Sequence, residues 1–478
     1  MTTTKLAPFV LPRVHASAGW IDEPDLTFAD GAKHPDPKIG IPLYGPRSFG
    51  TNRHKDEVHI GLIGTSESVE NGRKFYEKLA AGIPGDPDHF PFPGSVRDRG
   101  FRCDLRMDPK IVELVTRAET LDILNTRNSR ERFETTLMLL RQKMQLLTRR
   151  DHPLDYILLV LPDDLYQKCR VTNYKEKGLG PVHRDLRRAF KAMAMEFQKP
   201  TQILQERTTR LTPTVPRNLD DESVIAWNLF TGLYFKADGL PWGPSGLQPG
   251  TCFVGISFYR PLGESSTLRT SVVQAFDEDG DGLVLRGPDF HWDEAKDGRS
   301  PHLSEELAGE ITEMVLKQYK CERHHLPQRV IVQKTSRFEA AERAGFEQAL
   351  SKVGRYDLVS LTSQSASRLV RTGQYPPLRG THFRVGEIWY LYTTGFLPLL
   401  SAYPHGHVPS PLQVADHVGD TATPQLLSEV LTLTKMNWNS ADYASSTPIT
   451  IKFSRQVADI LREVPALRTP NPKLKFYI

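Results

Sequence analysis

Apolar residues along this chain fall into two spacings that follow one another in turn, which predicts strands that alternate with helices. Short, almost wholly apolar runs predict buried strands at 58–63, 156–161, 252–259, 329–333 and 385–392. Apolar residues three and four apart predict helices at 67–81, 109–118, 130–149, 303–320, 339–353, 425–431 and 453–462. Because strands that alternate with helices favour parallel, doubly wound sheets, we expect a mixed α/β protein.

The stretch 227–261 divides the chain into two chemically different halves. A predicted helix that carries Lys236 is followed by a crossing rich in Gly and Pro and then by the strand at 252–259. We therefore predict one domain at 57–244 and a second at 245–478. Residues 1–56 hold many Pro and Gly among scattered apolar residues, which predicts an extended arm that lies on another surface.

The composition is that of an ordinary soluble globular protein, with 39% hydrophobic and 25% charged residues. No apolar run approaches the roughly 20 residues of a membrane span, and the first residues lack an apolar signal core, so we expect a cytoplasmic protein. A net charge of +4 permits a nucleic-acid partner without requiring one. The four cysteines are scattered and form no CxxC pair, which argues against both a disulfide framework and a zinc site.

The acidic turn at 277–282 has the composition of a calcium-binding loop. Its three Asp residues and Gly282 fit the first positions of an EF-hand. Position twelve, however, is Pro288, where a bidentate Glu is needed. We therefore predict a tight hairpin turn and no calcium site.

The segment 182–199 carries apolar residues on one side and Arg184, Arg188 and Lys191 on another. The sequence leaves two interpretations of this segment open: a solvated basic face and the wall of a binding pocket. Parallel sheets bind ligands outside the carboxyl ends of their strands. We therefore expect a pocket beside the residues that follow the strand at 156–161.

Four motifs resemble the region where the MID and PIWI domains of Argonaute proteins meet. They are Lys-Pro-Thr-Gln at 199–202, Tyr-Phe-Lys-Ala-Asp-Gly-Leu-Pro-Trp at 234–242, Phe-Val-Gly-Ile-Ser at 253–257 and Leu-Thr-Lys-Met-Asn-Trp-Asn-Ser at 433–440. A chain of 478 residues has room for MID and PIWI but not for the N and PAZ domains as well. It therefore resembles the short prokaryotic Argonautes, which implies a Rossmann-like MID domain followed by an RNase H-like PIWI domain.

The resemblance implies a site for the 5′-phosphate of a guide strand. Family members use a Tyr-x-x-x-Lys pair, a Gln and a Lys, and the matching residues are Tyr166, Arg170, Gln202 and Lys236. Arg170 departs from the usual Lys but keeps the charge and adds a bidentate fork. The family also places Mg²⁺ at this phosphate, held here by Gln202 and the C-terminal carboxylate of Ile478. The apolar end of the chain favours burial of that carboxylate.

The resemblance also implies that the PIWI domain has lost its nuclease centre. Such a centre holds two metal ions with several carboxylates. At three of the four family positions this chain has Ser257, Thr335 and Arg455, and the second position cannot be placed. Two hydroxyls and a guanidinium are poor ligands for divalent metal, so we predict that the chain is not itself an enzyme.

Together these features imply a protein that binds a guide, RNA or DNA, and recognises complementary single-stranded DNA. Short Argonautes of this kind pair with an APAZ-containing effector that carries a TIR, sirtuin-like or nuclease domain, and they act in defence against plasmids or phage. Two alternatives remain open. One is an active guide-directed endonuclease with shifted carboxylates, and the other is an unrelated α/β enzyme or scaffold.

Overall fold

Two sheets organise the chain in its computed structural model. The structure describes residues 15–175, 180–210, 220–264, 267–275, 282–363, 365, 367–403, 408–465 and 468–478. Across these residues the mixed α/β class predicted from the sequence is confirmed. No helix in the described ranges is both long and apolar enough to cross a bilayer.

Residues 15–56 lie against other parts of the same chain. Their elements are β1 (Ala16–Trp20), β2 (Leu26–Thr27), β3 (Lys33–His34) and α1 (Pro37–Tyr44). Strand β1 pairs with a strand at 381–385, and Glu23 accepts hydrogen bonds from Arg379 at 2.8 Å and from Lys435 at 2.7 Å. Burial lowers the pKa of Lys435 to about 8, although Glu23 opposes this shift. The surface that the Pro-rich segment covers is therefore an intramolecular one.

The first sheet has strand order β12-β9-β4-β7, with β8 also paired to β4, and its ladders are parallel. Up to β12 its region contains β4 (Glu57–Gly64), α2 (Ser66–Ala81), β5 (Ser95–Val96), β6 (Arg99–Gly100), β7 (Asp104–Arg106), β8 (Val112–Leu114), α3 (Arg117–Asn125), α4 (Ser129–Thr148), β9 (Tyr156–Leu161), α5 (Asp163–Cys169), β10 (Val171–Lys175), β11 (Pro181–Asp185), α6 (Leu186–Ala194) and β12 (Thr201–Gln205). Every residue of β9 is buried, as expected for an inner strand covered on both faces.

The helix predicted at 109–118 is wrong. Pro109–Ile111 forms a short 3₁₀ turn, and β8 then pairs with β4 through Leu62 and Val112. Helix α3 begins only after Thr116, whose side chain forms a capping box with Glu119. Residues 112–114 therefore pair with β4 as a strand, although the spacing of their apolar residues is helical.

Helix α8 joins the two halves. The connecting elements are α7 (Glu206–Thr209), α8 (Glu222–Lys236) and β13 (Gly243–Pro244). Trp227 and Phe230 of α8 are fully buried in a hydrophobic core that continues from the first sheet into the second. The rings of Phe235 and Trp438 lie 4.7 Å apart, and the indole N–H of Trp242 donates to the Lys435 carbonyl at 3.0 Å. The boundary predicted near residue 244 thus lies within one shared core.

The second sheet has nine strands in the order β1-β19-β20-β21-β18-β17-β14-β15-β16. Its region contains β14 (Thr251–Tyr259), β15 (Thr267–Ala275), β16 (Gly282–His291), α9 (Glu294–Asp297), α10 (Glu305–Arg323), β17 (Arg329–Lys334), α11 (Ala340–Leu350), β18 (Arg355–Thr362), β19 (Thr381–Val385), β20 (Ile388–Leu391), β21 (Leu412–Gly419), α12 (Thr423–Leu433) and α13 (Ile449–Leu461). The antiparallel meander β14-β15-β16 is followed by parallel β17 and β18. Most of the predicted acidic turn, residues 277–281, lies outside the described residues.

Helix α13 packs closely against β14. A Cβ atom at Gly255 would collide with the carbonyl oxygen of Thr450 in the first turn of that helix. Glycine at this position therefore permits the approach of helix and strand. Helix α13 therefore packs against β14 and β15, and its residue Thr450 hydrogen-bonds to Gln333 of β17.

Candidate phosphate-binding site

Lys236 and Gln202, both predicted as site residues, are in direct contact. Lys236 is the last residue of α8 and only 1% exposed, and its ammonium donates to Gln202 Oε1 at 2.6 Å. Gln202 is the second residue of β12, opposite Leu158 of β9. The lysine therefore lies beside the amino half of an edge strand, whereas the sequence predicted a pocket outside the carboxyl ends.

A second buried lysine, Lys191 of α6, lies at the same site. Its ammonium donates to the main-chain oxygen of Ile478 and, at 3.4 Å, to the carbonyl of Thr201, the residue before Gln202. Lys191 is 3% exposed and Ile478 is 2% exposed. The predicted burial of the apolar chain end is therefore observed, and the oxygen predicted to hold a metal accepts a hydrogen bond from an ammonium group.

Arg187 extends the group of cations by one helical turn, because it stands four residues before Lys191 on α6. Burial lowers the pKa of the Arg187 guanidinium, and the half-buried Tyr166 of α5 lies close enough to oppose that shift, as does Asp185. Tyr166 therefore lies at the border of the site, and its role toward a guide strand stays a prediction. We call the group formed by Arg187, Lys191, Gln202 and Lys236 the basic pocket.

Arg170 stands apart from the basic pocket. It follows the last turn of α5, its side chain is exposed, and it makes no side-chain hydrogen bond or ion pair with any described residue. Its carbonyl accepts a hydrogen bond from the N–H of Leu186. Arg187 and Lys191 show the four-residue spacing that the sequence analysis assigned to Tyr166 and Arg170. The role predicted for Arg170 therefore has no support from this geometry.

The basic pocket is short of negative charge. Burial lowers the pKa of Lys191 well below its ordinary value, and the charges of Lys236 and Arg187 lower it further. Burial also lowers the pKa of Lys236 to about 7, with a smaller contribution from Arg187. Within the described part of the chain, no carboxylate side chain forms an ion pair with either lysine. An anion such as phosphate would therefore stabilise the charged form of both ammonium groups.

The donors present do not fit the magnesium ion that the resemblance implies. Mg²⁺ needs near-octahedral coordination by hard oxygen ligands. The side-chain oxygen of Gln202 already accepts from Lys236, and the oxygen of Ile478 accepts from Lys191. Two ammonium groups beside these oxygens would repel a divalent cation, so we derive no step through a metal here.

The three positions predicted for the nuclease centre lie on neighbouring elements, and none of the three is a carboxylate. Strands β14 and β17 are parallel neighbours with Gly255 opposite Gln333, so Ser257 and Thr335 follow at the same edge of the sheet. The Ser257 hydroxyl donates at 2.8 Å to the carbonyl of Ser454, which immediately precedes Arg455 on α13. This edge therefore presents two hydroxyls and an exposed guanidinium.

A buried carboxylate does lie near that edge, but it is already paired. Glu342 of α11 accepts a hydrogen bond from Lys334, the last residue of β17, and both side chains are buried. The Lys334 ammonium also lies 4.5 Å from the centre of the Phe338 ring. Burial lowers the pKa of Lys334, and Glu342 opposes that shift. Glu342 thus compensates a lysine and is not free to hold metal.

One further group of possible metal ligands occurs in the described ranges, formed by Asp86, His89 and Asp221. The two aspartates are exposed. The His89 ring donates a hydrogen bond to Asp86, which raises the pKa of His89, and Asp221 caps the first turn of α8. These structural partners explain the group without a metal ion.

No family model matches the sequence, and no curated protein matches it either. Several solved structures are similar to the fold. A Clostridium butyricum Argonaute bound to a guide DNA and a 19-mer target DNA has a TM-score of 0.68 and 15% identity, over 97% of this chain and 55% of that one. Drosophila Piwi has a TM-score of 0.60 and 12% identity over 96% of this chain and 56% of that one.

An A. aeolicus Argonaute is also similar, with a TM-score of 0.58 and 15% identity over 95% of this chain and 54% of that one. The chain therefore spans about half the length of the solved proteins that it resembles. Identities this low support a shared fold and carry no residue roles. The similarity extends over both sheets and the helix that joins them, and the chain has an Argonaute-type MID–PIWI fold.

Proposed function

We propose that this chain binds the 5′-phosphorylated end of a guide strand in the basic pocket. The observation that carries the proposal is that Lys191 and Lys236 converge on Thr201 and Gln202 of β12, with the charge of Arg187 close enough to affect both lysines. Among the described residues, no carboxylate side chain pairs with either lysine. A terminal phosphate offers two negative charges and several acceptor oxygens. Tyr166, at the border of the pocket, offers a ring on which the first base can stack.

The guide, RNA or DNA with RNA favoured, then selects a complementary single strand, with DNA as the expected target. In such a system base pairing reads the sequence, and the protein holds the backbone. The C. butyricum Argonaute with bound guide and target DNA is a precedent for this arrangement in a similar fold. We further propose that binding of guide and target activates an APAZ-containing effector, with a TIR, sirtuin-like or nuclease domain, in defence against plasmids or phage.

One purification tests the guide and the effector together. The tagged chain, expressed in its native cells, should carry short nucleic acids whose 5′ ends are phosphorylated and should retain a stoichiometric partner protein. Sequencing identifies the strands, and mass spectrometry identifies the partner. Purification of the chain without nucleic acid and without a partner protein would instead support the alternative of an unrelated α/β scaffold.

We predict that the guide-loaded chain does not cut its target. A two-metal centre needs carboxylates to offset two divalent charges, and Ser257, Thr335 and Arg455 supply none. A labelled complementary strand should remain intact with Mg²⁺ or Mn²⁺ over hours. Cleavage at one fixed position opposite the guide would instead support the alternative of a nuclease with shifted carboxylates.

A further inference from the structure

We propose that the basic pocket binds the guide phosphate without a divalent metal ion, because the ammonium of Lys191 already donates to the main-chain oxygen of Ile478 and, with Lys236, supplies the positive charge that a metal would bring. The inference rests on the proposed function, since it concerns the same pocket. It runs against the magnesium ion that the sequence resemblance implies.

The contacts of Lys191 carry the argument. The sequence resemblance assigns Gln202 and Ile478 as the residues that would hold the metal. Lys191 already donates to the oxygen of Ile478 and to the carbonyl of Thr201, which adjoins Gln202 on β12. Its third N–H remains available for a phosphate oxygen, since an ammonium group has three donors. Gln202 is likewise held by Lys236 at 2.6 Å.

The charges lead to the same result. Arg187, Lys191 and Lys236 carry three positive charges when protonated. A phosphate dianion brings two negative charges, so these three groups already compensate it in full. A divalent cation would add two further positive charges to a site that has no negative charge left for them, which is unfavourable.

Binding of a 5′-phosphorylated guide in EDTA and in Mg²⁺ tests the proposal on the native chain, purified with any partner and stripped of its own guide. The Kd should agree within about twofold between the two buffers, while Lys191→Ala should weaken binding about tenfold or more in both. Lys191→Arg, which keeps a charged donor, should recover part of the loss. The surface variant Lys74→Ala, whose ammonium pairs with Glu70 on α2, is the matched control and should bind as the native chain does.

The other outcomes contradict the proposal in distinguishable ways. A tenfold or greater loss of native binding in EDTA would show that a metal is required. Undiminished binding by Lys191→Ala in EDTA would show that Lys191 is not the group that takes the place of a metal ion. A native chain that binds the phosphorylated guide in neither buffer would overturn the proposed function itself. Thermal unfolding of each variant separates loss of the pocket from loss of the fold.

Discussion

Replacement of Lys236 by Ala is expected to weaken binding of a 5′-phosphorylated guide by about tenfold to a hundredfold. The side chain ends α8 and points its ammonium at Gln202, so its removal takes one charge from the phosphate and one partner from Gln202. A charge-assisted hydrogen bond to phosphate contributes roughly 1.5–3 kcal/mol, which gives the stated range. Fluorescence anisotropy with a labelled guide measures it directly.

A guide of the same sequence with a 5′-hydroxyl is the control, and its affinity should scarcely change. The variant Lys236→Met keeps most of the buried aliphatic volume while removing the charge, and it should reproduce the loss. If both guide forms lose affinity equally, Lys236 supports only the fold, because the missing partner would then not be the phosphate. Unchanged binding of both forms would place the phosphate outside this pocket.

The sequence assigned Gln202 and Lys236 to a phosphate site, left Lys191 undecided between a solvated face and a pocket wall, and did not single out Arg187. Lys236 and Gln202 lie in motifs that resemble a known junction, and the structure brings them together. The segment around α6 carries four cations, and their spacing alone does not say which of them face the pocket. Arg187 and Lys191 stand four residues apart and therefore share one face of α6, but Arg184 and Arg188 show the same spacing.

The remaining cations of that segment have structural partners. Arg184, which precedes α6, forms ion pairs with Glu134 and Glu463. Arg188 forms an ion pair with Asp459 of α13. The sequence analysis grouped Arg184 and Arg188 with Lys191 on one basic face, and the structure separates them. These partners lie far away in the chain, so no local pattern could assign them.

The fold was predicted well where the signal is local. The fully apolar run at 156–161 forms β9 over the same residues. The predicted strand at 385–392 is instead the second half of a hairpin, because Val385 pairs with Ile388 across a two-residue loop that begins with Gly386 at φ 61. Glycine at that place is a hairpin signal. The three-residue β8, by contrast, depends on β4, which lies far away in the chain.

Replacement of Arg329 by Met is expected to lower the free energy of unfolding by about 3–5 kcal/mol. Arg329 begins β17 and has no exposed surface. Its guanidinium donates to Asp357 at 2.9 Å and to both carboxylate oxygens of Glu429, at 2.6 and 3.0 Å. The change would leave two buried carboxylates without their cation, which costs more than the lost contacts alone. Urea denaturation of the native and variant chains measures the difference.

The control for this prediction is Lys352→Ala, which removes an ammonium that pairs with Glu313 where both side chains are exposed, and it should cost less than about 1 kcal/mol. Equal losses in the two variants would contradict the argument.

The dependence on pH gives a second check. Burial alone would raise the pKa of Asp357, but hydrogen bonds from His417 and Thr421 and the charge of Arg329 hold it below its ordinary value. Stabilisation by a carboxylate with a lowered pKa is present above its unfolded pKa and is lost as the pH falls through the folded value. The difference between the native chain and Arg329→Met should therefore shrink as the solution is acidified below the ordinary carboxyl range.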